Sequence, residues 1–429
     1  MSQYLQRLLD PLLDQVLRDH PAVMIGGPRA CGKTTTAVRH AATMARLDRP
    51  AEARVFEADP DAALRGLKEP VLLDEWQEVP HVLGAVKRQV DRDSSPGRYL
   101  LTGSVRADLD TQTWPGTGRV IRLDMLPLTT SERLAQRVST LVDRVAEGGA
   151  LAPAEQALDL RDYAALALAG GFPEPALHLS EAGRTRWYES YAEQIATRDA
   201  PAVEQGRDPH RMRRFIEALA LNSAGVLPEK TIYDAAGLNR RTAQAYGRLL
   251  ANLGVAYELP AWSHHRFQRL SRTPKRFVCD CGLLAAIVGA DLEGLTRDSD
   301  LLGRFLETFV AGELRAQASV ARMRHRLFHL RQQQRRHEVD IVAEGALGKL
   351  IAIEVKASAA PERRDARHLE WLRDGLGERF IGGVVLHTGP ATYPLSERIQ
   401  AAPISCLWGS GQGTTAERDK QQADEERSA

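Results

Sequence analysis

Apolar positions in the first third of the chain fall in short unbroken runs rather than in alternation. Val23-Met-Ile25, Val71-Leu-Leu73 and Tyr99-Leu-Leu101 are such runs, the pattern of strands covered on both faces of a parallel sheet. With helical patterns between them, they predict strands over residues 22–27, 53–57, 70–74, 98–103 and 120–126. A helix-compatible stretch, 35–47, follows the first strand, and this α/β unit ends near residue 135. Residues 136–158, with Glu147-Gly-Gly-Ala150 and Pro153, read as a connector, flexible or loosely helical. Residues 159–295 are mainly helical, broken by the turn Gly170-Gly-Phe-Pro-Glu-Pro175. Over 296–408 a helix (302–318) precedes strands at 326–330, 338–343 and 349–356, then a helix and a strand at 382–386. The remainder, 409–429, is polar and without apolar period, and is expected to be disordered.

Inside the helical middle, residues 232–250 read as helix–turn–helix. A short helix ends at Gly237, Asn239 can cap the next, and Arg240, Arg241 and Gln244 stand where a recognition helix meets DNA. A helical hairpin packed between domains fits the same pattern, and the two readings stay open.

A length of 429 residues implies two or three domains. The formal net charge of +1 means that any nucleic-acid contact must come from local basic patches. No apolar run is long enough for a membrane span, and the first residues lack a signal-peptide layout. Cys31, Cys279, Cys281 and Cys406 are too few and scattered for a disulfide framework, and Cys279-x-Cys281 lacks a second ligand pair. Buried thiols and a cytoplasmic location are expected.

The first loop carries the clearest chemistry. Gly27-Pro28-Arg29-Ala30-Cys31-Gly32-Lys33-Thr34 matches the phosphate-binding loop, entered by an apolar run and left by Thr35 and a helical stretch. Glycines let the backbone approach a phosphate, whose charge suits a helix start. Lys33 supplies a point charge for the outer phosphates and the Thr34 hydroxyl suits Mg²⁺. Asp74-Glu75 ends a later apolar strand, so Asp74 can hold Mg²⁺ and Glu75 can polarise the attacking water. Thr102 or Ser104, at another strand tip, can sense the γ-phosphate. Arg119 is the first candidate for a charge-stabilising arginine, with Arg106 and Arg122 as competitors.

Gly26-Gly-Pro-Arg29, Leu72-Leu-Asp-Glu-Trp-Gln-Glu-Val-Pro80, Leu100-Leu-Thr-Gly-Ser104 and Pro127-Leu-Thr-Thr-Ser-Glu132 resemble AAA-superfamily P-loop ATPases of bacteria and archaea that carry an uncharacterised C-terminal domain. The resemblance continues through Pro274-Lys-Arg-Phe-Val-Cys-Asp-Cys-Gly-Leu283 and Phe305-Leu-Glu-Thr-Phe309 to about Trp408. It implies an AAA-type ATPase core with a parallel sheet, a winged-helix middle domain and an α/β, nuclease-like end. The residues themselves do not separate ATP from GTP; the resemblance favours ATP. It also suggests a homo-oligomer, because such sites often borrow an arginine from a neighbour.

A second constellation lies near the carboxyl end. Glu354 and Lys356 share one face of a predicted strand, and Asp340 precedes them by an interval that a hairpin allows. This Asp…Glu-x-Lys layout resembles the restriction-endonuclease-like superfamily, in which carboxylates hold Mg²⁺ against a phosphate and the lysine orients water. Glu307 on the preceding helix is the expected extra carboxylate. Arg322, Arg324, Arg326, Arg331, Arg335 and Arg336 supply a local basic field. A cross-strand Glu–Lys ion pair is the competing reading, and His337 and His387 are expected to be ordinary polar residues. The leading expectation is therefore an ATP-hydrolysing, Mg²⁺-dependent protein that couples nucleotide state to a DNA-binding, nuclease-like domain. The alternative is a regulatory ATPase whose C-terminal domains only bind DNA or a protein partner. Chain length and the helix–turn–helix segment argue against a small-molecule kinase.

Overall fold

The computed structural model describes residues 4–103, 117–136, 139–199, 208–332 and 336–409. Ser104, Arg106, Arg335 and the stretch 410–429 lie outside them.

Five parallel strands form the first sheet: β1 (Ala22–Gly26), β2 (Thr43–Arg46), β3 (Val71–Asp74), β4 (Tyr99–Thr102) and β5 (Val120–Asp124). Their order is β2-β3-β4-β1-β5. Alternate residues of the apolar runs serve different layers. Ala22, Met24, Val71, Leu73, Tyr99 and Leu101 pack with Phe56, Val82 and Val86 on one face. Val23, Ile25, Leu72 and Leu100 pack with Leu9, Leu13 and Met125 on the other. The unbroken runs are therefore the signature of a sheet covered on both sides.

Two expected elements differ. Residues 53–57 are not a strand but part of the helix Pro50–Ala58, which starts at Pro50 and buries Ala53 and Phe56 at helical spacing. The second strand is Thr43–Arg46, inside the stretch expected to be helical, because the helix Lys33–Ala37 and one 3₁₀ turn (Val38–His40) end early. β2 is an edge strand with mixed exposure, so it lacks an apolar run.

The connector is also more ordered than expected. Within it the helix Leu141–Ala146 is capped by Thr140 and buries Leu141, Val142 and Val145. Asp143 accepts from the Arg322 and Met323 amides, at 3.0 and 2.7 Å.

In the middle region the helices Glu229–Ala235 and Arg240–Asn252 are joined by a turn with Gly237 at φ 65° and by the Asn239 cap, whose side chain accepts from Thr242. An antiparallel pair follows, β6 (Ala256–Leu259) and β7 (Lys275–Val278). The last unit has a long helix, Ser299–Ala318, and six strands: β8 (Arg326–Arg331), β9 (Glu338–Glu344), β10 (Leu350–Val355), β11 (Phe380–His387), β12 (Tyr393–Ser396) and β13 (Ile399–Pro403). Their order is β12-β13-β11-β10-β9-β8, parallel from β10 through β11 to β13 and antiparallel elsewhere. One apolar core runs from Leu141 through Tyr163, Phe215 and Leu284 to Phe305, Ile353 and Trp408, so the middle and last units are packed as one body.

All four cysteines are buried and free. Among the described residues no helix is long and apolar enough to cross a membrane.

Candidate functional site

The phosphate loop leaves β1 and enters the helix Lys33–Ala37. Gly27 sits at φ 149°, and a Cβ there would stand 2.1 Å from the Met125 carbonyl, so only glycine fits. Gly32 is likewise left-handed, at φ 101°. Lys33 is buried, and its Nζ folds back to donate to the Gly27 and Pro28 carbonyls at 3.1 and 2.8 Å. The Thr34 hydroxyl donates to Asp74 Oδ1 at 2.7 Å, and the Thr102 hydroxyl donates to the same oxygen. Parallel register makes this possible, since Thr102 pairs with both Asp74 and Ile25 at adjoining strand tips. Thr34, Asp74 and Thr102 thus meet below the loop.

Glu75 follows in a left-handed conformation (φ 53°), and the Gln77 amide donates to its carboxylate. The Cys31 side chain is buried, its Sγ 3.7 Å from the Met125 carbonyl. Thr35 is exposed. The donor set fits a magnesium triphosphate: a glycine cradle, one lysine at the loop, and a hydroxyl beside a carboxylate.

The candidate arginines separate. Arg119 precedes Val120, which pairs with Ala22 at the opposite end of the sheet from the loop, and it is bound to Asp91 at 2.9 Å. The structure does not bring Arg119 to its own loop. Arg122 lies close to Gly26, where an added Cβ would be 3.0 Å from its Nη2.

Two contacts with the loop had no sequence signal, because they cross between distant segments. The Tyr191 hydroxyl, on the helix Glu181–Gln194, donates to the Arg29 carbonyl at 3.2 Å. Arg7 donates to the Cys31 carbonyl at 2.8 Å and pairs with Glu132 at 2.9 Å.

The second constellation also assembles. Asp340 on β9 lies opposite Glu354 on β10, next to the Ile341–Ile353 pair. Asp340 Oδ2 accepts from the Val355 amide at 3.0 Å, and Lys356 Nζ is 4.0 Å from Glu354 Oε2. Glu307 reaches the cluster from the long helix through Lys275, a member that sequence reasoning missed. Lys275 Nζ pairs with Glu307 Oε1 and lies 3.3 Å from Asp340 Oδ1, with the side chain 1% exposed. Burial and the Asp340 anion push Glu307 up to about 8 and Glu354 well above its ordinary range. Burial would also raise Asp340, but Lys275 and a hydrogen bond with Glu354 hold it at about 2.

The Lys275 ammonium already neutralises Glu307 and Asp340, so the cluster as arranged does not fit Mg²⁺. Among the described residues no three His, Cys, Asp or Glu side chains are grouped to hold a metal ion. His337 stacks on Trp371, and His387 is hydrogen-bonded to the Ala391 carbonyl and Gly389 amide, so neither joins the cluster. Of the basic field, Arg322 pairs with Glu147 and Arg331 with Glu338.

Arg240 and Arg241 are exposed. Gln244, by contrast, lines a cleft of about 1080 Å³ between its helix and the last unit, together with Arg248, Arg315 and Arg326.

Residues 19–134 match the model of the AAA domain, and residues 160–294 and 302–407 match two domains of unknown function. The chain is 26% identical over 405 residues to uncharacterized proteins of Mycobacterium bovis and Mycobacterium tuberculosis, covering 93% of this chain and 83% of each relative. Its likeness to a solved Walker-type ATPase of Pyrococcus abyssi has a TM-score of 0.41 at 13% identity, over 65% of this chain and 94% of that one. The matched AAA domain and the geometry around Lys33, Thr34 and Asp74 agree: the first part of the chain is a P-loop ATPase domain.

Proposed function

We propose that the chain binds and hydrolyses ATP with Mg²⁺ and couples nucleotide state to a DNA-binding, nuclease-like last unit. The observation that carries the coupling is the Tyr191–Arg29 contact, which ties the loop to a helix of the body holding the second cluster. In this reading Lys33 leaves the loop carbonyls for the outer phosphates, while Thr34 and Asp74 hold the metal. Bound Mg²⁺ supplies charge neutralisation at the β- and γ-phosphates. Thr102 keeps the Asp74 carboxylate aimed at Thr34. Glu75, released from Gln77, orients the attacking water. In this reading a charge-stabilising arginine, with Arg119 as the candidate, comes to the loop from a neighbouring copy, so that the protein works as a homo-oligomer in the cytoplasm.

In this reading the helix–turn–helix and the β6–β7 pair act as a winged helix, with the exposed Arg240 and Arg241 turned to a phosphate backbone. The nuclease-like reading rests on Asp340 and Glu354 standing opposite each other on β9 and β10, with Lys356 4.0 Å from Glu354. One observation favours the second reading, a regulatory ATPase that binds without cutting: Lys275 neutralises the carboxylates. ATP hydrolysis measured with and without DNA, followed by gel analysis of that DNA, tests both. Stimulated hydrolysis with Mg²⁺-dependent nicking, lost in Asp340→Ala and Lys356→Ala, supports the first. Stimulation without nicking supports the second, and indifference to DNA removes both.

A further inference from the structure

The helix Arg240–Asn252 turns a row of small residues, Ala243, Gly247 and Ala251, into the cleft of about 1080 Å³. Glycine in a helix interior costs stability against alanine. Here it leaves open space, since a Cβ on Gly247 would meet only Phe215, at 3.9 Å. The buried side chains Phe215, Leu219, Ile232 and Leu259 supply apolar walls. Arg248 of the same helix, Arg315 of the helix Ser299–Ala318 and Arg326 at the start of β8 bring cations to the cleft from three elements. Arg315 lies over the Tyr257 ring at 4.2 Å. Tyr257 also lines the cleft, and its buried hydroxyl has no partner among the described residues. Arg248 and Arg326 are exposed and pair with no carboxylate among the described residues. The carboxylates of the cleft are already engaged: Glu229 and Glu258 with Arg276 at 3.5 and 2.9 Å, and Asp124 with Arg122 at 3.4 Å.

We propose that this cleft is a second ligand site, separate from the phosphate loop, for a small acid with an apolar body. Its volume lies near the upper end of the usual small-molecule range, and apolar walls with a few polar groups are the ordinary make-up of such sites. Arginine forks match a carboxylate, sulfonate or phosphate head. A concave apolar wall strengthens their field on an anion inside it. The walls Leu219 and Ile232 take an acyl chain or a fused ring. A nucleic-acid strand suits the cleft less well, because the exposed Glu229 and Glu258 would face its repeating charge and the apolar walls offer its phosphates no donor.

The test is fluorescence titration of the full-length protein with anilinonaphthalene sulfonate, an acidic aromatic dye that brightens when its rings leave water. One saturable site is expected. Arg248→Glu combined with Arg326→Glu, at two exposed positions, should weaken it about tenfold or more. Gly247→Trp, which keeps both arginines and fills the space, should abolish it. Lys33→Ala should leave it unchanged, as should Phe267→Ser with Leu270→Ser, an exposed apolar pair that does not line the cleft. Decanoate and naphthoate then compete with the dye, and whichever displaces it at lower concentration assigns a chain or a ring. Decanol, the chain without the charge, should need about tenfold more than decanoate. The proposal is overturned by the absence of a saturable site, by unchanged binding in the arginine pair, or by loss in Lys33→Ala or in the Phe267 and Leu270 pair. Displacement by a single-stranded oligonucleotide but by neither acid overturns it as well, giving the cleft to nucleic acid. If Gly247→Trp does not fold, the arginine pair decides alone.

Discussion

Thr34 gives its hydroxyl hydrogen to Asp74 across 2.7 Å, joining the loop helix to the tip of β3. In the proposed reading this pair is half of a magnesium site. Asp74→Asn should keep ATP binding within a few-fold and lower hydrolysis by about 100-fold or more, since charge stabilisation is lost at the reacting phosphate. Lys33→Ala should lose triphosphate binding itself. Titration calorimetry and a phosphate-release assay separate the two, and wild-type ATP affinity in Lys33→Ala would remove the loop from the site.

Gly27→Ala should be the most damaging small change in the loop. Its methyl would sit 2.1 Å from the Met125 carbonyl in a conformation that alanine disfavours. Loss of nucleotide binding, with a lowered melting temperature, is expected in a fluorescent-nucleotide titration and a thermal scan. Normal binding would mean that the loop is rebuilt when occupied.

Glu75→Gln should bind ATP normally and hydrolyse it about 100-fold more slowly, the usual scale for losing a group that orients water. Gln77→Ala, which removes the amide that donates to the Glu75 carboxylate, should stay within tenfold of wild type. Equal hydrolysis in Glu75→Gln and wild type would assign the water to another residue.

Acid should loosen the body through His329. Its Nε2 donates to the Thr273 carbonyl at 3.1 Å, and its Nδ1 has no partner among the described residues. Burial, with the Lys275 cation close by, holds the ring at about 3 instead of 6.5. The unfolded chain therefore takes up a proton that the folded chain refuses. Stability is whole above pH 6.5 and falls toward pH 3, by about 1.4 kcal/mol per unit. Between pH 7 and 5, wild type should lose about 2 kcal/mol more than His329→Gln in denaturant titrations. Parallel losses would place the acid sensitivity elsewhere.

The P-loop domain was legible where chemistry and covering coincide along the chain. Gly27, Lys33, Thr34 and Asp74 stand in a fixed local pattern, and the runs at Val71 and Tyr99 mark strands that water never reaches. β2 was not legible, because an edge strand with half-exposed Thr43 and Met44 carries no such run. The Asn239 cap was, since capping is a local bond. Asp340, Glu354 and Glu307 could be matched by order and spacing. Lys275 could not, because its meaning depends on a fold that brings Glu307 and Asp340 to it from later segments. Arg119 failed to reach its own loop for the same reason in reverse: sequence nearness to a strand says nothing about which end of the sheet that strand begins at.

The shared core has a practical outcome for dissecting the chain. A fragment cut at residue 296, where the composition suggests a boundary, would leave behind Trp262, Arg269 and Lys275, and with them the helix Leu141–Ala146. Such a piece would expose the edge of β8 and strand Glu307 and Asp340 without their cation. The natural unit of expression for studying this carboxylate cluster therefore begins near Thr140 and carries the middle helices with it.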